Sequence, residues 1–182
     1  MIHKFILISP EVEDFACEIL IDADATFYEL HRIIQQTCGY AEDQLTSFFL
    51  CNENWEKERE IVLEDMGQTP ADEDIYVMRE TRLGDMLEEE RQHIAYVFDP
   101  LEERVLLLEL SEIIFGKNQT SPVCSRRHGN APQQSLDADE MPEKPHVQKT
   151  EELDENFYGS EGFDSEEFDP EGFEISDGNP YA

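Results

Sequence analysis

Few side chains in this 182-residue sequence stand at spacings that chemistry uses. Cys124 and His128, with three residues between them, are half of a zinc-binding set, and a zinc site needs a second pair of ligands. Cys17, Cys38 and Cys51 are widely spaced with no Cys-x-x-Cys pattern, which reads as reduced thiols in apolar segments rather than a disulfide or metal framework. Glu88 to Glu90 and the pair Glu102 and Glu103 bring carboxylates together, yet both groups fall in expected loops, and acid–base catalysis needs two carboxylates in unlike environments. His31 lies in a helix between Leu30 and Arg32, where a lone histidine suits a hydrogen-bonded structural role. His93 opens a strand with no cysteine or carboxylate at metal spacing. Neither a Gly-rich phosphate loop nor a GxSxG or Cys-His nucleophile pattern occurs. No catalytic residue, metal ligand or cofactor is therefore assigned. The one convergence to expect for a small ligand is a pocket between helix and sheet, with His31, Trp55, Tyr96 and Asp99 near its mouth.

The elements that must position those residues are legible from the apolar pattern. Thr26 and Glu29 have the spacing of a capping box. Phe27, Leu30, Ile33, Ile34 and Cys38 follow on one face at helical spacing, and Gly39 suits the left-handed helix end. Leu45 to Cys51 is a short, almost wholly apolar run, expected as a strand buried on both faces. Ile2–Ser9 and Phe15–Asp22 read as two strands joined by Pro10 to Asp14 as a hairpin, the second alternating with a period of two. A fourth strand is expected around Ile61 to Leu63, and Leu83, Met86 and Leu87 fit one helical turn. His93–Asp99 and Arg104–Leu110 form a second hairpin across a turn opened by Asp99-Pro100. The fold class expected is α+β, a mixed or antiparallel sheet of about six strands with one main helix packed on it. The folded domain spans 1–135, with its core in 1–118 and an extended surface segment over 119–135.

Charge then constrains the partner. The formal net charge is −31, and it is unevenly spread, with 9 basic and 28 acidic residues in 1–118 and none and 12 in 151–182. Such a field attracts basic proteins and repels polyphosphates, which argues against a direct nucleic-acid ligand. The apolar run Phe5–Ile8 is too short for a signal-peptide core, and no segment suits a membrane span, so a cytoplasmic protein is expected. Residues 136–182 are too thin in apolar side chains for a core and read as a disordered acidic tail. Within it Phe163, Phe168 and Phe173 recur every five residues, flanked by Phe157, Tyr158 and Tyr181. That period puts successive rings on alternate faces of a strand, or about 140° apart on a helix, so they act as separate contact points set among carboxylates. A basic groove on a partner would complement them. No twelve-residue EF-hand loop accompanies the carboxylates.

The order strand, strand, helix at YELHRIIQQTCGY, strand at DQLTSFFL, hairpin at YVFDPLEERVLLLEL, then SPVCSRRHGNAP, resembles the plasmid pRiA4b ORF-3-like family, also described as passenger proteins of insertion elements. The resemblance covers about residues 1–135. Its most specific pieces are Leu30-His31 followed by Gly39-Tyr40, and the aromatic-x-aromatic-Asp of Tyr96, Phe98 and Asp99. The whole, with its acidic tail, looks most like the version found in Bacteroidetes. Two departures stand out. Asp99 continues as Pro100-Leu101-Glu102-Glu103, where the family usually has Phe-Gly-Asp-x-Trp. Cys124 and Gly129 lead into Ala131-Pro132-Gln133, where a second cysteine in Cys-Pro-Pro-Glu-Asp is common. The resemblance implies a compact α+β domain and little chemistry.

The sequence thus supports a non-enzymatic interaction protein whose acidic aromatic tail engages a basic protein partner. A small-ligand or catalytic domain using the helix–sheet pocket is the alternative. A nucleic-acid-related role rests only on the association of relatives with mobile elements.

Overall fold

A computed structural model describes residues 1–67 and 75–135. The expected acidic tail and its phenylalanine repeat lie outside the described residues. Alternation near the N-terminus folds as a hairpin, β1 (Ile2–Ile8) paired antiparallel with β2 (Ala16–Asp22). Helix α1 runs from Phe27 to Cys38. Its capping box is complete: the Glu29 amide donates to Thr26 Oγ1, and the Thr26 amide donates to the Glu29 carboxylate. Such a cap is worth about 1 kcal/mol. Two more amides of the first turn, which no helical carbonyl can reach, are met from outside, Phe27 N–H by the Thr81 carbonyl and Tyr28 N–H by the Met78 carbonyl, each at 3.0 Å. Gly39 closes the helix in the left-handed conformation, φ 74°.

β3 (Ser47–Cys51) pairs with β4 (Lys57–Val62), and β5 (Tyr76–Val77) runs parallel to β4. After α2 (Leu83–Met86), β6 (His93–Asp99) and β7 (Arg104–Ile114) form the second hairpin, and β8 (Val123–His128) closes the list. All eight strands belong to one mixed sheet, ordered β5-β4-β3-β6-β7-β1-β2-β8. The class is the α+β expected, but with eight strands in place of about six. The two additional strands are β5, two residues long, and β8, a polar edge strand without apolar alternation, paired with β2. The segment read as a surface extension therefore completes one edge of the sheet.

Cross-strand register sorts the side chains. Leu50, Ile94, Leu108, Leu7 and Cys17 are successive partners across five strands, as are Leu110, Phe5 and Ile19. Both helices pack on this face, where Phe27, Leu30, Ile34 and Leu83 join those residues in a single core. Each large apolar side chain fully buried there contributes roughly 1.5–3 kcal/mol. One expectation is corrected: β3 is not buried on both faces. Phe48 is fully buried, whereas Phe49 and Cys51, on the other face, are half-buried, because helices cover only one side of the sheet.

Candidate functional site

Helix α1 carries His31 down onto β6, where Tyr96 points up from the middle of the strand. His31 Nδ1 is 2.9 Å from the Tyr96 hydroxyl and 3.3 Å from Thr46 Oγ1. His31 is 2% exposed and Tyr96 fully buried. Burial lowers the His31 pKa to about 4, so the ring is neutral at pH 7. Burial likewise raises the Tyr96 phenol well above its usual range, which keeps its proton available for the bond. Phe48 packs between Phe27 and Tyr96 with ring centroids 5.4 and 4.9 Å away. Tyr28, under the Arg79 guanidinium at 3.7 Å, borders the histidine on its other side. A neutral imidazole, a phenol and a threonine hydroxyl that satisfy one another make a polar staple between helix and sheet. Its conformational specificity comes from the cost of leaving any one member unpaired.

Of the four residues expected around one pocket mouth, His31 and Tyr96 are brought together and the other two are not. Trp55 sits in the β3–β4 turn, stacked on His93 at the start of β6, and Asp99 ends the same strand. His93 and Asp99 are six residues apart, roughly 20 Å at the rise of a strand. Both have the opposite parity to Tyr96, whose row faces the helix. Asp99 Oδ1 accepts the Leu101 and Glu102 amides, capping the turn. Its other oxygen is 3.8 Å from Arg104, whose guanidinium also makes a forked contact to Glu11 and donates to the carbonyls of Gln133 and Gln134. Cys124 and His128 do not build a zinc half-site. A bulge in the β2–β8 pairing sets Cys124 opposite Ile19, in the core, and His128 opposite Ala16, on the other face. Among the described residues no cluster of three or more His, Cys, Asp or Glu is placed to hold a metal.

The face away from the helices carries what sequence reasoning missed. Phe49, Ala95, Leu107, Ile8 and Ala16 are successive partners across five strands, an apolar row bounded by Glu60 at one end and His128 at the other. Val97 and Val105 continue it on one side. On the other side runs a charged row, His93, Glu109, Ile6, Glu18 and Arg126. Neither helix covers this face. Ile8 is 42% exposed and Phe49, Leu107 and Ala16 are half-buried, whereas Ala95 and Val97, on the central strand, are buried. Read singly, each strand shows only an alternation with mixed polarity; the row exists only once the register is known.

A family model described as plasmid pRiA4b ORF-3-like protein matches residues 13–176. No curated protein matches the chain. Among solved structures, the crystal structure of a protein of unknown function, MM3350 from Methanosarcina mazei Go1, is similar with a TM-score of 0.52 at 17% identity. The likeness covers 69% of this chain and 68% of that one. It concerns the fold alone. Among the described residues no helix is long and apolar enough to cross a membrane.

Proposed function

The chain belongs to the plasmid pRiA4b ORF-3-like family, and from that premise we propose that it is an interaction module that engages a basic protein partner through the uncovered face of its sheet. The observation that carries this reading is the five-residue apolar row from Phe49 to Ala16, bordered by three glutamates, with basic residues at its two ends, Lys57 over Phe49 and Arg126 beside Ala16. A partly exposed apolar strip bordered by charge has the apolar centre and polar rim of a docking surface. Glu60, Glu109 and Glu18 border the row, and the net charge of −31 sets the sign of the partner. The acidic stretch 151–182, with Phe157, Tyr158, Phe163, Phe168 and Phe173 among its carboxylates, adds anchors of the same preference. Buried aromatic anchors dominate interface energies, while exposed charges contribute about 0–1 kcal/mol each.

Affinity capture from the native cells tests this, comparing the intact chain with Ile8→Glu and with a chain lacking residues 151–182, at low and high salt. The expected catch is a basic protein that Ile8→Glu and the truncation each weaken, and that high salt releases. A set of partners indifferent to both changes overturns the proposal.

A further inference from the structure

At the β8 end of the open face the chemistry reverses sign. A cleft of about 530 Å³ opens over Ala16, one of the two alanines of the apolar row, with Ile6 on its floor and Arg126 and His128 on its β8 side. The partners of Arg126 are the telling detail. Its cross-strand neighbour is Glu18, the carboxylate that would normally neutralise it. That carboxylate is shared: it lines the same cleft and is within the field of Arg126, but it forms its bond to the Ser125 hydroxyl and lies 3.3 Å from Lys4 Nζ. Those bonds, Ser125 first, hold the Glu18 carboxyl below its usual range. Lys4, Arg32 and Arg104 are held in ion pairs, and Lys57, Arg59 and Arg79 lie over aromatic rings. Among the described residues Arg126 has neither kind of partner, and the same is true of Arg82, Arg91, Lys117 and Arg127, the last of which lines the same cleft. Arg126 and Arg127 thus bring two guanidinium groups to one apolar dent in a chain with 44 acidic residues against 13 basic ones.

The geometry points to a peptide-binding site whose ligand is an acidic segment bearing an aromatic residue: the ring enters the dent over Ala16 and Ile6, and a flanking carboxylate takes the two donors of Arg126. Arginine is suited to this because its planar fork meets both oxygens of a carboxylate. His128, on the same face two residues along, lines the same β8 wall, and Gly129, having no Cβ, lets the end of β8 approach the Asp14 carbonyl closely. The site selects the charge opposite to that of the basic partner proposed above, so either reading can fail without the other.

Fluorescence anisotropy with a labelled acetyl-Glu-Glu-Phe-Asp-Glu-amide peptide and the full chain tests it. Binding is expected, weakened by raising salt. It falls at least tenfold when the peptide's phenylalanine is replaced by alanine, and at least tenfold when its acids are replaced by lysines. Arg126→Glu and Ala16→Leu, which fills the dent, should each cost tenfold or more, while Arg91→Glu, the same charge change on the β6 side of the sheet, stays within twofold of wild type. Arg126 is exposed, so its variant keeps the test decisive if Ala16→Leu fails to fold. Absence of binding by wild type, equal binding of the lysine peptide, or an Arg126→Glu variant within twofold of wild type overturns the inference.

Discussion

Trp55 lies flat on His93, the two ring centroids 4.0 Å apart and their planes inclined by 7°. Trp55 reaches that position from a left-handed backbone, φ 64°, at the turn between β3 and β4. Left-handed residues other than glycine carry a steric cost of roughly 1 kcal/mol or more. The turn is held by Asn52, whose Oδ1 accepts the amides of Asn54 and Glu56, and His93 is fixed by contacts to the Asn52 carbonyl and to Glu109. The stack offsets the backbone cost. A double-mutant cycle over Trp55→Ala and His93→Ala is therefore expected to show a coupling of about 0.5–1.5 kcal/mol in denaturant unfolding. Additive effects would mean that the rings merely sit side by side.

His31 makes stability depend on pH in a known direction. Its folded pKa, about 4, lies below the ordinary histidine value of 6.5, so the unfolded chain binds the proton more readily. The stabilisation is complete above about pH 6.5 and is lost as pH falls toward 4. For a displacement of that size the loss is about 2 kcal/mol by pH 5. Buried His3, also displaced downward by desolvation, adds in the same direction. Urea unfolding at pH 7 and pH 5 should show the fall, and His31→Gln should shrink it. An unchanged slope in the variant would place the pH dependence elsewhere.

Much of the fold was readable because the elements that make it obey local rules. The capped helix, both hairpins and the single apolar core follow from Thr26, Glu29 and Gly39 and from alternation along β1, β2, β6 and β7. β8 was not readable as a strand, since Val123 and Cys124 are the only apolar residues in Val123 to His128 and its pairing with β2 carries a bulge rather than a regular alternation. The pairing of His31 with Tyr96 joins residues 65 apart, and what brings them within 2.9 Å is the way α1 crosses the sheet. Trp55 and Asp99 were grouped with them on residue type alone. The parity of β6 sets His93 and Asp99 on the side away from Tyr96, and sequence cannot say which parity faces the helix until the neighbours of the strand are known. The availability of Arg126 is still less legible, because it depends on where the Glu18 carboxylate turns.

Gly129 and Gly116 have nearly the same backbone angle, φ 69° and 72°, but unequal surroundings. A Cβ at Gly129 would sit 2.3 Å from the Asp14 carbonyl oxygen, while one at Gly116 meets nothing within 4 Å. Gly116→Ala should cost about 1 kcal/mol, the strain alone. Gly129→Ala must also push β8 off the β1–β2 loop, and a loss of more than about 2 kcal/mol is expected. Thermal unfolding of the two variants side by side checks the difference, and equal shifts would show that β8 gives way freely.

Arg104 joins three stretches that lie far apart in sequence. It is paired with Glu11 at 2.8 Å, stands over the Phe98 ring at 4.8 Å, and donates to the carbonyls of Gln133 and Gln134. Tyr40 holds the same segment from the helix side, donating to the Pro132 carbonyl at 2.9 Å. The Arg104 side chain is 9% exposed, so its hydrogen bonds are largely shielded from water. Lysine at this position keeps the charge but cannot address a carboxylate and two carbonyls at once. Arg104→Lys is therefore expected to release residues 131–135 locally and to cost about 2 kcal/mol globally. Hydrogen exchange separates the two effects. Protection at the Ala41 amide, which donates to Gln134 Oε1, should fall more than protection in β6. Uniform loss across both would mean that Arg104 stabilises the whole sheet rather than pinning its last segment.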